Sequence, residues 1–148
     1  KLINNITVIL ENEFKDHLNK VTNDYYVSDQ ITIEDIETIK KEGFKTVFCH
    51  RPNDEEPNQP PAESIKEIVE ENELNFIHQP VIGSMLNMQD VANFSELYES
   101  AEKPIFAYCR TGTRSCTLWA LSQMGNLEAD EIINLTSAAG YNLQHLIK

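Results

Sequence analysis

The sequence predicts an α/β domain in which a mostly parallel central sheet is flanked by helices. Short apolar runs alternate with amphipathic helical patterns, and neither a linker nor an internal repeat divides the chain. A length of 148 residues suits one domain with a sizeable core. We therefore expect a single domain over 1–148, in which 1–23 is a less certain N-terminal extension.

The N-terminal half predicts a strand and a helix twice over after residue 23. The strands are 25–30 and 44–50, and the helices are 32–43 and Ala62–Glu73. The first helix carries an apolar stripe formed by Ile33, Ile36 and Ile39. Thr32 can cap this helix, and Gly43 ends it. Before residue 23 there is only a weak helical face, formed by Ile9, Phe14 and Leu18.

The C-terminal half continues the alternation. Strands are predicted at 75–81 and 104–109, and helices at Met88–Ala101, Thr113–Met124 and Glu128–Ala139. Asn87 can cap the first of these helices, whose inner face is Val91, Phe94, Leu97 and Tyr98. The run at 104–109 is the most apolar, so we expect it at the centre of the sheet.

Ligands of parallel α/β sheets bind beyond the carboxyl ends of the strands. Cys109 follows one predicted strand, and His50 and Arg51 follow another. A loop beginning at Ile82 follows a third. We expect these segments to converge on one mouth.

The net charge narrows the classes of partner that the protein is expected to bind. The net charge of −12 argues against a nucleic acid and against an anionic membrane surface, and no apolar run approaches the about 20 residues that span a bilayer. The histidines and cysteines show no metal-ligand spacing, so the sequence implies no metal and no organic cofactor. Free thiols suit a reducing compartment, which predicts a cytoplasmic protein, or a periplasmic one if a leader has been removed.

All three arginines follow predicted strands. They are Arg51, Arg110 and Arg114. Guanidinium groups suit oxyanion recognition, so this clustering in an acidic chain favours an anion pocket. The alternative is that they pair with the acidic side chains of the proline-rich loop at 51–63, which include Asp54 and Glu55.

The segment "YCRTGTRSCTLW" is the strongest candidate for a catalytic site. Cys109 stands between a strand and a helix, where unpaired backbone N–H groups stabilise a thiolate. Gly112 allows the loop a positive φ and a close approach to a ligand. We expect Cys109, Arg114 and Ser115 to be catalytic, and the anion to be bound by Arg110, Thr111, Gly112, Thr113 and Arg51. The hydroxyls of the loop can donate to the thiolate, and Cys116 is expected to be core filler.

The loop resembles two enzyme families. Cysteine-dependent phosphatases place five residues between Cys and Arg, and rhodanese-type sulfurtransferases use a loop one residue shorter. More of the chain, over Tyr25–Leu143, resembles the phosphatase-like domain of the bacterial beta-lactamase-hydrolase-like family. The matching segments are "GFKTVFCHRPNDEEPNQP", "FIHQPV", "YCRTGTRSCTLWAL" and "AAGYNL". The resemblance implies a tyrosine- or dual-specificity-phosphatase-like fold, in a family described both as phosphatases and as sulfur transferases.

Two observations favour sulfur transfer. Arg114 lies five positions after Cys109 rather than six, which predicts a smaller anion space. The loop at 82–87 lacks the carboxylate that phosphatases of this fold use to protonate the leaving alcohol. We therefore expect a persulfide-forming sulfurtransferase acting on a thiol or persulfide. The alternatives are a phosphatase that forms a phosphocysteine on a phosphorylated substrate, and a non-catalytic module that binds an anion or a thiol.

Residues of the second strand end complete the candidate site. His50 and Asp54 are possible acid–base groups. Arg51 is a candidate anion ligand, with an internal ion pair to the acidic loop as the alternative. Cys49 is a candidate resolving thiol, but packing at a strand end is the better expectation because strand neighbours face opposite sides.

Overall fold

Five short strands form the sheet. They are β1 Asn19–Lys20, β2 Tyr25–Ser28, β3 Thr46–Cys49, β4 Asn75–His78 and β5 Ile105–Tyr108. Their order across the sheet is β1-β2-β5-β3-β4. The computed structural model describes residue 14 and residues 16–147.

The helices alternate with these strands. They are α1 Asp35–Lys41, α2 Ala62–Glu71, α3 Met88–Ser100, α4 Thr113–Ser122, α5 Ala129–Ala138 and α6 Gln144–Ile147. A 3₁₀ turn at Gly83–Met85 lies between β4 and α3. Within the described residues, none of the helices has the length and apolar character that crossing a bilayer requires.

Pairing within the sheet is parallel except at one edge. β5 lies between β2 and β3 and is parallel to both, and β4 is parallel to β3. β1 is antiparallel to β2. All four residues of β5 are buried, which confirms the central position that its apolar sequence predicts. The predicted α/β class with a mostly parallel sheet is therefore confirmed.

Helices cover both faces of the sheet. The alternation of β5 sends Ile105 and Ala107 into a core shared with α3, α4, α5 and α6. Phe106 and Tyr108 enter a second core that includes buried residues of α1 and α2. This three-layer arrangement buries a parallel sheet on both sides, as such sheets require.

The first predicted helix begins later than its apolar pattern suggested. α1 starts at Asp35, and the Asp35 carboxylate accepts hydrogen bonds from the backbone N–H and the hydroxyl of Thr32, at 2.9 and 3.2 Å. Ile33 and Glu34 form a turn that leads into the helix. Ile36 and Ile39 are fully buried, whereas Ile33 is 44% exposed, so the prediction that Ile33 faces the core is wrong.

Other boundaries agree more closely. Asn87 caps α3 in a reciprocal arrangement with Asp90, whose backbone N–H donates to the Asn87 side chain at 3.0 Å. β1 and α6 were not predicted, because two and four residues carry too little periodicity to be recognised. Of the weak N-terminal helical face, Phe14 is buried in the α1–α2 core, Leu18 is partly buried, and Ile9 lies outside the described residues.

Two matched substitutions test the inner face of this segment. Ile36→Val should lower the free energy of unfolding by about 0.5–1.5 kcal/mol, because it removes a buried methylene. Ile33→Val should change it by less than about 0.5 kcal/mol, since that side chain is largely solvated. Urea unfolding followed by circular dichroism measures both, and equal losses would contradict the placement of Ile33.

Candidate active site

The carboxyl ends of the parallel strands lie side by side. Ser28, Tyr108, Cys49 and His78 are aligned in the pairing register. Backbone pairing continues past the strands, since the N–H of Cys109 donates to the carbonyl of Ser28 at 3.4 Å, and that of His50 to the carbonyl of Tyr108 at 2.9 Å. The predicted convergence of strand ends is therefore observed.

Cys109 lies at the base of a tight strand-to-helix loop. Gly112 has a φ of +92° and stands at the N-terminal end of α4, and its backbone N–H donates to Cys109 Sγ at 3.1 Å. Cys109 has no exposed surface. A sulfur that receives a backbone N–H at a helix start is in the environment that stabilises a thiolate.

Tyr141, which sequence analysis did not single out, closes the outside of this loop. Its hydroxyl donates to the Thr111 carbonyl at 3.1 Å and accepts from the Asn19 side chain at 3.2 Å. A Cβ on Gly112 would clash with that hydroxyl. Burial raises the pKa of Tyr141 to about 12, so it remains a donor. Its position in the segment "AAGYNL", which contributes to the family resemblance, was the available signal.

Arg114 connects the start of α4 to the segment that follows β4. It sits in the first turn of α4, and its guanidinium donates to the carbonyl of Val81 at 2.9 Å. The hydrogen bond to Glu55 raises the pKa of Arg114, and the charge of Cys109 adds to the increase, while burial opposes both. The smaller anion space that the five-position spacing favours stays a prediction.

Glu55 of the proline-rich loop at 51–63 binds the guanidinium groups of both Arg51 and Arg114. Glu55 accepts from Arg114 Nη1 at 2.8 Å, from Arg114 Nη2 at 2.9 Å and from Arg51 Nε at 2.9 Å. Arg51 further donates to Glu56 and to Gln30, and it is 2% exposed. The internal ion pair that the sequence left open for Arg51 is therefore formed, and a role for Arg51 towards a substrate stays a prediction.

Ser115 is bonded to a buried histidine. The Nδ1 atom of His50 lies 2.7 Å from the Ser115 hydroxyl oxygen, and both residues are completely buried. Burial lowers the pKa of His50 to about 3, and the charge of Arg114 contributes to the decrease, so the ring is neutral. The other ring nitrogen of His50, Nε2, is buried without a hydrogen-bond partner.

The loop hydroxyls are engaged away from the thiol. Thr111 and Thr113 bond to each other at 3.0 Å on the exposed side of the loop, and Ser115 bonds to His50. None of the three donates to Cys109 here, although the sequence allows it, because Thr111 and Thr113 are exposed and Ser115 is buried against His50.

The other two thiols are packing groups. Cys116 belongs to the core shared with α3 and α5, and burial raises its pKa to about 12. Cys49 belongs to the core of α1 and α2, where burial also raises its pKa. Tyr108 lies in the same core as Cys49, on the face away from the main core. These positions agree with the packing alternatives.

The mouth of the site is an open depression at Arg110 and Arg114, and the buried Cys109 is not among its lining residues. Its lining residues are Glu55, Glu56, Ile82, Gly83, Ser84, Arg110 and Arg114. Arg110 and the loop from Ile82 therefore meet there as predicted, while Asp54 is exposed and is not part of the lining. Among the described residues, no three His, Cys, Asp or Glu side chains are grouped so that they could hold a metal ion.

Comparison with known proteins identifies the family. The model of the beta-lactamase hydrolase-like protein, phosphatase-like domain, matches residues 17–126. The chain belongs to this family. Curated family relatives from Agrobacterium fabrum and Xylella fastidiosa, both named beta-lactamase hydrolase-like protein, are 29% identical over 119 residues. That match covers 79% of the chain but only 28% of each relative, so the chain spans well under half of their length.

Solved structures show the same fold. A candidate phosphatase from Neisseria meningitidis has a TM-score of 0.79 and 40% identity, over 87% of this chain and 92% of that one. TpbA of P. aeruginosa, solved as a Cys-to-Ser variant in complex with pTyr, has a TM-score of 0.63 and 11% identity, over 86% and 74%. The catalytic core of the yeast PP-IP phosphatase SIW14, solved with citrate, has a TM-score of 0.64 and 16% identity, over 88% and 83%.

These relatives confirm the phosphatase-like fold and the membership of the phosphatase-like domain family. Sulfur transfer, the reaction favoured by the loop count, gains no support from them. The phosphatase alternative is the better supported of the two.

Replacing Gly112 tests the closure of the loop. Gly112→Ala should destabilise the protein by at least about 1 kcal/mol more than Gly125→Ala, since both glycines have positive φ but only at Gly112 does the new Cβ meet Tyr141 and the Ser28 carbonyl. Urea unfolding of the two variants provides the comparison. Equal losses would show that Tyr141 does not confine the loop.

The buried histidine predicts a pH effect on stability. Because the folded-state pKa of His50 lies near 3 and the unfolded value is 6.5, the unfolded chain binds the proton first as the pH falls. The His50 contribution is therefore complete above about pH 6.5 and is lost towards pH 3, by up to about 1.4 kcal/mol per pH unit. The difference in unfolding free energy between wild type and His50→Asn, measured at about pH 7 and about pH 5, should shrink accordingly. A constant difference would contradict a neutral buried ring.

Proposed function

We propose that this domain hydrolyses phosphate monoesters through a covalent phosphocysteine on Cys109. The observation that carries the proposal is the two-point contact of Arg114 with the Glu55 carboxylate above the Cys109 loop. In that contact the guanidinium presents both of its terminal nitrogens to an oxyanion at this mouth. Phosphoryl oxygens suit the same fork.

The chemistry requires two displacements at phosphorus. The Cys109 thiolate attacks the phosphorus atom, so that an S–P bond forms while the ester P–O bond breaks and the leaving oxygen takes a proton. Water then attacks the phosphocysteine, which releases inorganic phosphate and restores the thiolate. Backbone N–H groups at the start of α4 and the Arg114 guanidinium would stabilise charge on the transferred oxygens.

Support for a phosphorylated substrate comes from the relatives. The candidate phosphatase from Neisseria meningitidis is 40% identical, which is well above the level at which only the fold is shared. One of the two arguments for sulfur transfer also weakens, because a carboxylate reaches the mouth from the proline-rich loop.

Phosphate release and mass spectrometry test the proposal together. The wild type should release phosphate from 4-nitrophenyl phosphate, and Cys109→Ser should lose at least about 10³-fold in rate because the nucleophile is gone. Cys49→Ser, which alters another buried thiol, is the matched control and should retain activity.

Two other results would overturn hydrolysis. A Cys109-dependent gain of one sulfur from thiosulfate or glutathione persulfide, reversed by thiol and without phosphate release, would restore the sulfurtransferase. If Cys109→Ser still binds the anion, and the wild type neither releases phosphate nor gains sulfur, a non-catalytic binding module is favoured.

A further inference from the structure

Hydrolysis of an unactivated ester needs a proton donor at the leaving oxygen. The loop at 82–87 contains no carboxylate. The structure brings acidic side chains to the mouth from a different place, the loop between β3 and α2. The inference that follows rests on the proposed hydrolysis and concerns which of these groups carries the proton.

Three acid–base candidates are poorly placed. Asp90 is occupied at the start of α3, where it accepts from the Asn87 backbone at 3.1 Å. His50 packs against Ser115 and has no exposed surface. Asp54 is exposed with a φ of +64° and does not line the mouth, although Glu55 and Glu56 beside it do.

Glu55 is in direct contact with Arg114, the side chain proposed to bind the phosphoryl oxygens. Both of its oxygens meet Arg114, at 2.8 and 2.9 Å, whereas Glu56 is bonded to Arg51. The Glu55 side chain keeps 26% of its surface exposed, so it can turn without unpacking the core. Its carboxylate thus lies where a substrate's oxyanion would contact the same guanidinium.

We infer that Glu55 protonates the leaving group, and that Arg114 exchanges the Glu55 carboxylate for the phosphoryl oxygens when substrate binds. Glu55 is an internal stand-in for the substrate anion in the resting state. Once displaced, it remains at the mouth beside the departing oxygen.

The exchange itself would prepare the acid. In the resting state the pKa of Glu55 is lowered, first by its hydrogen bond to Arg114 and then by that to Arg51. A bound phosphate takes Arg114 away and adds negative charge nearby, and both changes raise the proton affinity of the carboxyl. Linkage requires the converse, so a protonated Glu55 would favour anion binding. The other charged groups at this mouth are Arg110 and Glu56.

The proton balance closes over one cycle. Glu55 gives its proton to the ester oxygen as the P–O bond breaks, and its carboxylate then accepts a proton from the water that attacks the phosphocysteine. Release of phosphate frees Arg114, and Glu55 loses this proton to solvent and returns to Arg114 as the carboxylate. It takes a proton from solvent again when the next substrate displaces it. No oxidant, metal or further reactant is needed.

The backbone of the loop is braced, so that only the side chain has to move. The Glu55 backbone N–H donates to the Gln59 side chain at 3.0 Å, and Gln59 donates to the Pro52 carbonyl at 2.9 Å. Asn53 accepts from the Ala62 backbone at 2.8 Å, which ties the loop to the start of α2. Arg51 retains its bonds to Glu56 and Gln30 when Glu55 turns.

The dependence on the leaving group tests this role. Glu55→Gln should reduce kcat for phenyl phosphate by about 10²–10⁴-fold, because phenolate is a poor leaving group without protonation. For 2,4-dinitrophenyl phosphate, whose leaving group needs no proton, kcat should change by only a few fold. Glu55→Asp should recover part of the phenyl phosphate activity, since it restores a carboxyl.

Matched controls separate proton donation from loop structure. Glu56→Gln removes another ion pair of Arg51 without touching Arg114, and Asp54→Asn removes the acid next in sequence. Both should leave the ratio of the two kcat values unchanged. Equal losses on both esters in Glu55→Gln, no loss on either, or a selective loss in Asp54→Asn would overturn the inference. A wild type that hydrolyses neither ester would overturn the proposed function and this inference with it.

Discussion

The parallel pairing of β5 with β2 and β3 is the constraint on which the site depends. It aligns the ends of the strands, so Cys109, His50 and the loop after β4 emerge at one edge of the sheet. A shift of the β5 pairing register by one residue would move every β5 side chain to the opposite face of the sheet. Tyr108 would then point to the face that its neighbours in the strand now occupy. The two buried cores resist such a slip, because each takes alternate residues of the same strand.

The positively charged side chains at the site contrast with the negative net charge of the chain. In a protein with a net charge of −12, two of the three arginines, Arg51 and Arg114, donate to the same carboxylate, that of Glu55. Buried or half-buried guanidinium groups need such partners, since an unpaired charge away from water is costly. The same pairing keeps the oxyanion fork ordered before substrate arrives, and a substrate must exchange with an internal carboxylate rather than with water alone.

Positions counted along a loop do not show which groups the fold brings together. Arg114 stands in the first turn of α4, yet its guanidinium extends to the Val81 carbonyl and to Glu55. The loop at 82–87 contains no carboxylate, and the acidic side chains at the mouth come from the loop between β3 and α2. Both contacts depend on the reach of side chains across the fold, which a linear pattern does not describe.

Local sequence determined the strands, the main helices, the central position of β5 and the cysteine loop, because apolar periodicity and glycine positions act over a few residues. The apolar pattern placed Ile33 within the helix, whereas the helix begins at Asp35, whose side chain bonds to Thr32. It did not reveal the Tyr141 contact with Gly112, the His50–Ser115 bond or the grip of Glu55 on two arginines. Each of these contacts depends on how the chain folds back on itself, and only tertiary packing decides which separate groups share a desolvated space.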